Sequence, residues 1–248
     1  MKYALVVTLL CAFVLSHARA QEEPIPPKRS KAAKIGGLGG FTPGWLFVDV
    51  KEVNKFLQAG KAAPLKDNGV FLAGGGGAAY IMLVPNLRVG GLGMSGSLSS
   101  TSLDASGLRR DAELHVGFGG VTLEYVFTLA EHFDLAAGTM IGGGGIDITL
   151  RQNSGGQSTW SGEQGFLAGT ANVPNVTRQL NGSFFIAIPS VNLEYAILGW
   201  VGFRLGVSYV GMISPSWKVD GEYELLGVPS KVSGSGFMIN AGLLVGTF

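Results

Sequence analysis

A hairpin-like pattern occurs three times in this sequence, and it constrains the fold more than any other feature. In each copy a tyrosine ends an apolar stretch, a few turn-like residues follow, and a charge flanked by two apolar residues opens the next stretch. The charge follows the tyrosine after eight residues in the first copy and nine in the others: Tyr80 and Arg88, Tyr125 and Asp134, Tyr195 and Arg204. Because strand side chains alternate between two faces, the repeat fixes this alternation around three turns and indicates antiparallel β-structure.

The N-terminus has the parts of a secretory signal. Lys2 supplies the positive charge, residues 4–15 are apolar, and 18–20 read Ala-Arg-Ala, a small-x-small cleavage site. The apolar stretch is shorter than the roughly 20 residues that a spanning helix needs. Cleavage after Ala20 would remove the only cysteine, Cys11, and leave 16 basic against 17 acidic side chains. This composition excludes disulfides and zinc-thiolate sites in the mature chain and argues against nucleic acid as a partner.

The rest of the composition favours strands that cross a membrane. The chain contains 40 glycines, its mean hydropathy is positive, and its charged fraction is only 14%. Soluble domains carry about 25% charged residues. Yet no uninterrupted apolar run reaches the length of a spanning helix. Strands of alternating polarity, as in a transmembrane barrel, explain this combination.

We predict a signal peptide at 1–20, a flexible arm at 21–34 and one β-domain at 35–248. One helix is predicted at 49–59, where Asp49 and Glu52 resemble a capping box and Gly60 follows. Strands are predicted at 70–83, 86–97, 114–127, 133–150, 184–197, 200–213, 217–225 and 237–248. Four-glycine runs at 74–77 and 142–145 are interpreted as bends or close backbone approaches.

Two topologies fit these strands. Eight strands beginning at Val70 would put the long polar segments 99–111 and 151–182 beside the chain termini. The alternative begins with a strand at 38–48, lets the helix follow it at the outer end, and treats 217–225 as the projecting part of a long strand and its loop. It also gives eight strands. We prefer it because outer-membrane barrels have short periplasmic turns and long external loops.

The alternation separates an apolar face from a polar one. Val121, Leu123, Tyr125 and Phe127 share one face, and Glu124 lies on the other. In a soluble barrel the apolar face would pack inward, whereas in an outer-membrane barrel it would contact lipid. Three tyrosines near the turns are predicted to be lipid-facing as part of an aromatic girdle: Tyr80, Tyr125 and Tyr195.

The signal, the alternating strands and the terminal Phe248 resemble small bacterial outer-membrane β-barrel proteins. The resemblance implies an antiparallel up-and-down meander closed into a barrel of about eight strands, with one short N-terminal helix. It also implies an outer-membrane location, membrane lipid as a partner, and Phe248 as the residue read by the insertion machinery. A secreted or periplasmic location is the alternative.

Five charged residues are predicted to point inward and to form one layer near the short turns. Because an unpaired buried ion is costly, they should pair with one another. The layer would close the lumen, or alternatively act as a gate or a small polar ligand site. The five residues are Arg88, Glu124, Asp134, Glu194 and Arg204.

No catalytic, cofactor-binding or metal site is predicted. The mature chain has only two histidines, His115 and His132, and no Gly-x-Ser-x-Gly nucleophile elbow. We therefore expect an outer-membrane barrel with a structural or surface-interaction role and no catalysis. The alternatives are a narrow channel or small polar ligand carrier, and a secreted soluble β-barrel that binds an apolar ligand.

Overall fold

The computed structural model describes residues 36–154, 159–169 and 175–246. The predicted signal peptide, the predicted arm and Phe248 lie outside these residues. In chain order the elements are β1 (Gly37–Phe41), β2 (Gly44–Val48), α1 (Lys51–Ala59), β3 (Val70–Tyr80), β4 (Leu87–Leu103), β5 (Arg109–Ala130), β6 (Phe133–Asn153), α2 (Trp160–Leu167), β7 (Asn175–Leu198), β8 (Val201–Val219), β9 (Tyr223–Glu224) and β10 (Gly236–Gly246).

The strands close into an antiparallel ring. Strands β1 and β2 act as one strand interrupted at Thr42 and Pro43, and they pair with β10 on one side and β3 on the other. Strands β3 to β8 follow as a meander, and β10 returns to β8. The ring therefore has eight members, which confirms the predicted barrel. The short β9 pairs back onto β8 across Asp220 and Gly221, whose positive φ angles of 51° and 75° suit a tight hairpin.

The ring follows the second of the two predicted topologies. The short connections 131–132 and 199–200 lie at the same end as the start of β1 and the end of β10, which we call the turn end. The connections 49–69 and 220–235 lie at the opposite end, the loop end. The topology beginning at Val70 is wrong, because β1 and β2 complete the ring. Residues 217–225 are not a separate strand, because β8 continues to Val219.

The predicted polar loops at 99–111 and 151–182 are also corrected. Strand β4 continues to Leu103 and β5 begins at Arg109, so only 104–108 connect them. Strand β6 continues to Asn153 and β7 begins at Asn175. These segments are polar because their outward side chains are polar. Residues 99–103, 109–111, 151–153 and 175–182 therefore belong to strands that extend past the apolar part of the barrel.

Near the turn end the outward face is apolar. Along β5, Val121, Leu123, Tyr125 and Phe127 are all exposed, with 39% to 62% of their surface accessible. Phe127 and Gly117 are both on this face and are ten positions apart along the strand. At roughly 3.4 Å per residue and a tilt of about 40°, this stretch is about 26 Å tall, close to the roughly 25 Å apolar band of outer-membrane barrels. We call this outward surface the lipid-facing belt.

Aromatic side chains border the belt at both edges. Those near the turn end include Tyr125 with Phe127 and Phe133 with Tyr195, whose ring centroids are 4.8 Å and 4.7 Å apart. Those on the loop-end side include Trp45 with Phe71 and Tyr209 with Phe237. Two aromatic girdles around an apolar band are typical of barrels that span an outer membrane.

Toward the loop end the polarity of the two faces is reversed. Inward side chains of β5 are now apolar and buried, as at Leu114, Val116 and Phe118. They pack with inward residues of the neighbouring strands, such as Ile146 and Ile186. We call this interior the loop-end core. It resembles the core of a soluble barrel, and it fills the lumen from the upper part of the belt, where Phe118 lies, to the loop end.

Helix α1 packs on the loop-end core through Val53 and Leu57, which are at most 5% exposed. The predicted start at Asp49 is wrong: the N-cap is Val50, and the Asp49 carboxylate accepts a 3.0 Å hydrogen bond from the Lys51 N–H. Phe56 of the same helix is exposed.

A second helix, α2, was not predicted from the sequence. The hydroxyl of Thr159 accepts a 3.1 Å hydrogen bond from the Gly162 N–H, which is the arrangement of an N-cap. Neither helix among the described residues is long and apolar enough to cross a membrane.

Inward glycines allow neighbouring strands to approach closely. A Cβ on Gly74 would lie 2.1 Å from the Gly93 carbonyl oxygen, and a Cβ on Gly142 would lie 2.1 Å from that of Gly119. Both positions belong to the four-glycine runs, which are therefore points of close backbone approach. A narrow ring needs this absence of side chains on its concave face.

Candidate functional site

The strand register brings four of the five predicted inward charges together near the turn end. Arg88 lies directly opposite Glu124 across β4 and β5, and Glu194 lies opposite Arg204 across β7 and β8. We call Arg88, Glu124, Glu194 and Arg204 the luminal charge cluster. The fifth residue, Asp134, lies opposite Glu194 on β6 and is also buried.

Arg88 is the centre of this cluster and has no exposed surface. It binds Glu194 through two hydrogen bonds, Nη1 to Oε2 at 2.9 Å and Nη2 to Oε1 at 2.7 Å. Its Nη2 also donates to Glu124 Oε2 at 2.8 Å. This two-pronged contact is the strongest geometry available to an arginine and a carboxylate. It links strands β4, β5 and β7 across the lumen.

Arg204 contacts the same two carboxylates from β8. Its Nη1 donates to Glu124 Oε1 at 3.2 Å, and its Nη2 donates to Glu194 Oε1. Asn192 adds a longer contact of 3.4 Å to Glu124 Oε1. Two guanidinium groups thus neutralise two carboxylates, which removes the main cost of burying these charges. The cluster joins four strands across the lumen.

Tyr80 does not lie on the lipid-facing belt, so its prediction as a lipid-facing aromatic is wrong. It is 9% exposed, and the Arg88 guanidinium lies 5.6 Å from its ring centroid. In the register Tyr80 lies directly opposite Arg88, whereas Tyr195 lies opposite Phe203. The first copy of the repeat has one residue fewer between the tyrosine and the charge. Because strand side chains alternate, this difference puts its tyrosine on the inward face.

The other two tyrosines, Tyr125 and Tyr195, lie on the outward surface with 39% and 40% of their area accessible. Both form ring contacts with other outward residues of the turn end, and His132 approaches Tyr195 with its ring centroid at 6.3 Å. His132 therefore lies at the surface near the turn end, away from the luminal charges.

A small cavity lies directly above the luminal charge cluster. Its volume is about 50 Å³, and polar residues from several strands line it, among them Asn192, Ser208 and Asn240. Glu124 and Arg204 form part of its wall on the side of the charges, and Met140 and Met238 also line it. The Ser208 hydroxyl is buried without a hydrogen-bond partner from the protein. A cavity of this size and polarity suits a few water molecules.

A second concave region, the outer depression, lies on the outward surface near the loop end. Its volume is about 300 Å³, and it spans strands β4, β5 and β6. The sequence did not reveal it, because part of its lining, such as Ser99, Asp111 and Arg151, was predicted to lie in loops. The alternation of Ser97, Ser99 and Thr101 was the available signal. The outward side chains that line the outer depression are Ser97, Ser99, Thr101, Arg109, Asp111, Glu113, Thr149 and Arg151.

The tight turn after β4 is held by Asp104. Its Oδ1 accepts hydrogen bonds from the Ser106 N–H, the Ser106 hydroxyl and the Leu108 N–H, and its Oδ2 accepts one from Arg110 Nη1 at 2.9 Å. The hydrogen bond from the Ser106 hydroxyl, followed by that from Arg110, lowers the pKa of Asp104 to about 2. Strands β4 and β5 are thereby fixed to each other at their distal ends, well beyond the lipid-facing belt.

His115 lies on the outward face, opposite Ser97 on β4 and Asp147 on β6. The Asp147 carboxylate accepts a 2.8 Å hydrogen bond from Asn181. Within the described ranges, no group of three or more His, Cys, Asp or Glu side chains has the geometry of a metal site.

The closed ring, the exposed lipid-facing belt and its two aromatic girdles make this protein an outer-membrane β-barrel. Membrane lipid surrounds the belt, and the loop end lies beyond it. The inward polar and outward apolar faces of the belt exclude a soluble barrel with an apolar ligand inside, because the apolar side chains near the turn end face out.

No family model and no curated protein matches this sequence. Among solved structures the chain is similar to Ail, the attachment invasion locus protein of Yersinia pestis, in complex with the heparin analogue sucrose octasulfate, with 10% identity, a TM-score of 0.35, and coverage of 84% of this chain and 96% of that one. A major outer membrane protein from Thermus thermophilus shows 7% identity, a TM-score of 0.42, and coverage of 85% and 98%. The outer membrane protease OmpT from Escherichia coli shows 11% identity, a TM-score of 0.34, and coverage of 90% and 99%.

Proposed function

We propose that this barrel does not conduct solutes and has a structural or surface-interaction role at the outer membrane. The observation that carries this proposal is that the lumen is filled at two successive levels. The luminal charge cluster crosses it near the turn end, and the loop-end core fills it from the upper part of the belt to the loop end. Helix α1 covers that core from the outside.

The alternative of a narrow channel or a small polar ligand carrier receives less support. The space that the described residues leave between the two filled levels is the cavity of about 50 Å³. This volume fits a few water molecules. The exposed part of the protein available to a partner is therefore the outward surface of the loop end, and no catalytic step is part of the proposal.

Recognition of Phe248 by the insertion machinery stays a prediction from the sequence. It agrees with the topology, since β10 runs toward the turn end and Phe248 follows it in the chain.

Conductance in planar bilayers tests the proposed function. We expect no current steps from the wild-type protein, because two independent obstructions lie in series. A variant that lacks two of the four charges of the luminal charge cluster, Arg88→Ala with Glu194→Ala, should also stay silent since the loop-end core is intact. Heat-modifiable migration on a gel would verify that each preparation contains the folded barrel.

Discrete current steps from the folded wild-type protein would refute the proposal and would favour the channel. Current steps from the double variant alone would show that the charges, and not the loop-end core, are the barrier. The proposal of two filled levels would then be wrong.

A further inference from the structure

We propose that the outer depression binds the sugar headgroup of a glycolipid in the outer leaflet of the membrane. This inference rests on the proposed function, because it names the class of partner for the surface-interaction role. It depends on three properties of the site: its height above the belt, its balanced charge, and the glycine surface directly below it.

The height of the outer depression matches a lipid headgroup that is larger than a phosphate. Ser97 lies opposite His115, two residues beyond Gly117 at the edge of the belt, and Asp111 lies six residues beyond it. Arg109 lies eight residues beyond Gly117, so at roughly 3.4 Å per residue and about 40° of tilt the site extends from about 5 Å to about 21 Å above the hydrocarbon. The ordinary headgroup layer is only about 5–8 Å thick on each side. A sugar headgroup is long enough to reach the part of the site that lies above the ordinary headgroup layer.

The charges of the site are already paired, which argues against phosphate as the ligand. Arg109 Nε lies 3.0 Å from Asp111 Oδ2, and Arg151 Nη2 lies 3.8 Å from Glu113 Oε2. Two arginines therefore meet two carboxylates, and the lining carries no net charge. A phosphate would have to compete with these carboxylates for the arginines.

Sugar hydroxyls, by contrast, match the hydrogen-bond donors and acceptors that line the outer depression. They can donate to Glu113 and accept from Arg151, and the hydroxyls of Ser99 and Thr149 can do both. The regular spacing of about 4.8 Å between strands presents these groups as an ordered array. The site is open to solvent on its outward side, so a ligand attached to the membrane can enter it laterally.

The surface below the outer depression leaves room for the acyl chains of the same lipid. The outward positions Gly93, Gly119 and Gly143 lie next to one another on β4, β5 and β6. A Cβ added there would meet its nearest atom at 3.4 Å to 3.9 Å, which is ordinary contact. Barrel curvature therefore does not require glycine at these positions. Their absence of side chains creates a flat strip from the belt to the sugar site.

Native mass spectrometry of the protein released from nanodiscs tests this proposal. Nanodiscs would contain phosphatidylcholine with a minor fraction of digalactosyldiacylglycerol, a neutral glycolipid. We expect the wild-type protein to retain one glycolipid molecule. The double variant Ser99→Ala with Thr149→Ala should retain it about tenfold less, as the loss of two hydrogen bonds implies.

The matched control is Ser216→Ala, which removes an exposed hydroxyl on β8, outside the outer depression. It should retain the glycolipid as the wild type does. Nanodiscs with phosphatidylglycerol in place of the glycolipid supply a second arm, in which wild type and double variant should retain the lipid equally. Free galactobiose added to detergent-solubilised protein should not bind measurably.

Three outcomes would overturn the inference: no glycolipid retained by the wild type, equal retention by the double variant, or stronger retention of phosphatidylglycerol. Binding of free galactobiose without any lipid would show that the site takes a soluble sugar, which also overturns it. If retention fails while the bilayers stay silent, the proposed non-conducting role stands and only the named partner is wrong.

Discussion

Replacing Arg88 by Met should destabilise the barrel strongly, because Arg88 connects two buried carboxylates. The substitution removes three hydrogen bonds, two to Glu194 and one to Glu124. Arg204 then has to neutralise both carboxylates alone. Removal of one partner from a buried ion pair costs about 3–5 kcal/mol, and we expect a loss of this size in the free energy of unfolding.

A double-mutant cycle shows that the loss comes from the pair. Glu194→Gln alone should also destabilise, since it leaves Arg88 with one carboxylate. When both substitutions are combined, the remaining pair of Glu124 and Arg204 is still neutral and bonded at 3.2 Å. The double variant should therefore be more stable than the sum of the single effects predicts, by about 1–3 kcal/mol.

The assay is equilibrium unfolding in guanidinium chloride with lipid vesicles, followed by tryptophan fluorescence. The control is Arg178→Met, because Arg178 pairs with Asp220 at 2.8 Å on the surface, where their side chains are 62% and 39% exposed. This control should lose less than about 1 kcal/mol. If Arg88→Met loses no more than the control, the luminal charge cluster does not stabilise the barrel and the reasoning fails.

Three further predictions follow from other parts of the barrel. Asp104→Asn should remove the stabilisation that the carboxylate gives to its turn. With a pKa near 2, the wild-type carboxylate stabilises the turn above pH 3.8 and loses this effect as the pH falls through about 2. Amide hydrogen exchange of the turn, measured as a function of pH in both proteins, would show this difference. Leu123→Arg on the belt should cost about 2–4 kcal/mol of unfolding free energy in vesicles, whereas Gln179→Arg beyond the belt should cost at most about 1 kcal/mol; equal costs would refute the placement of the membrane. Gly142→Ala should lower stability by about 1–3 kcal/mol because its Cβ would overlap a carbonyl oxygen, while Gly143→Ala, which faces outward, should be neutral or slightly stabilising in the same unfolding experiment.

The alternation of residues was sufficient to predict most of the belt. Val121, Leu123 and Phe127 are outward and exposed as expected, because a period of two is visible wherever one face is uniformly apolar. The inward charges could be predicted for the same reason. Their individual partners could not, since hydrogen bonds such as that between Arg88 and Glu194 join residues 106 positions apart.

The extent of the strands could not be predicted because polar residues occupy the inward face within the belt and the outward face beyond it. Ser99 and Arg151 suggested loops, yet they are the outward side chains of strands whose inward side chains are apolar. The error at Tyr80 has a different origin. One residue fewer in a connection reverses the face of the tyrosine, and the repeat alone does not tell which copy follows the common register.

The reversal of polarity between the two ends has a consequence for biogenesis. Beyond the belt, the strands have polar side chains on the outward face and apolar side chains on the inward face. A single hairpin of this distal segment, inserted alone, would expose Asp111 and Glu113 to hydrocarbon, and its apolar face would have no other strand to pack against. Such a hairpin has no favourable intermediate in the bilayer. The distal segments of all the strands therefore have to cross the bilayer together, as a nearly closed barrel.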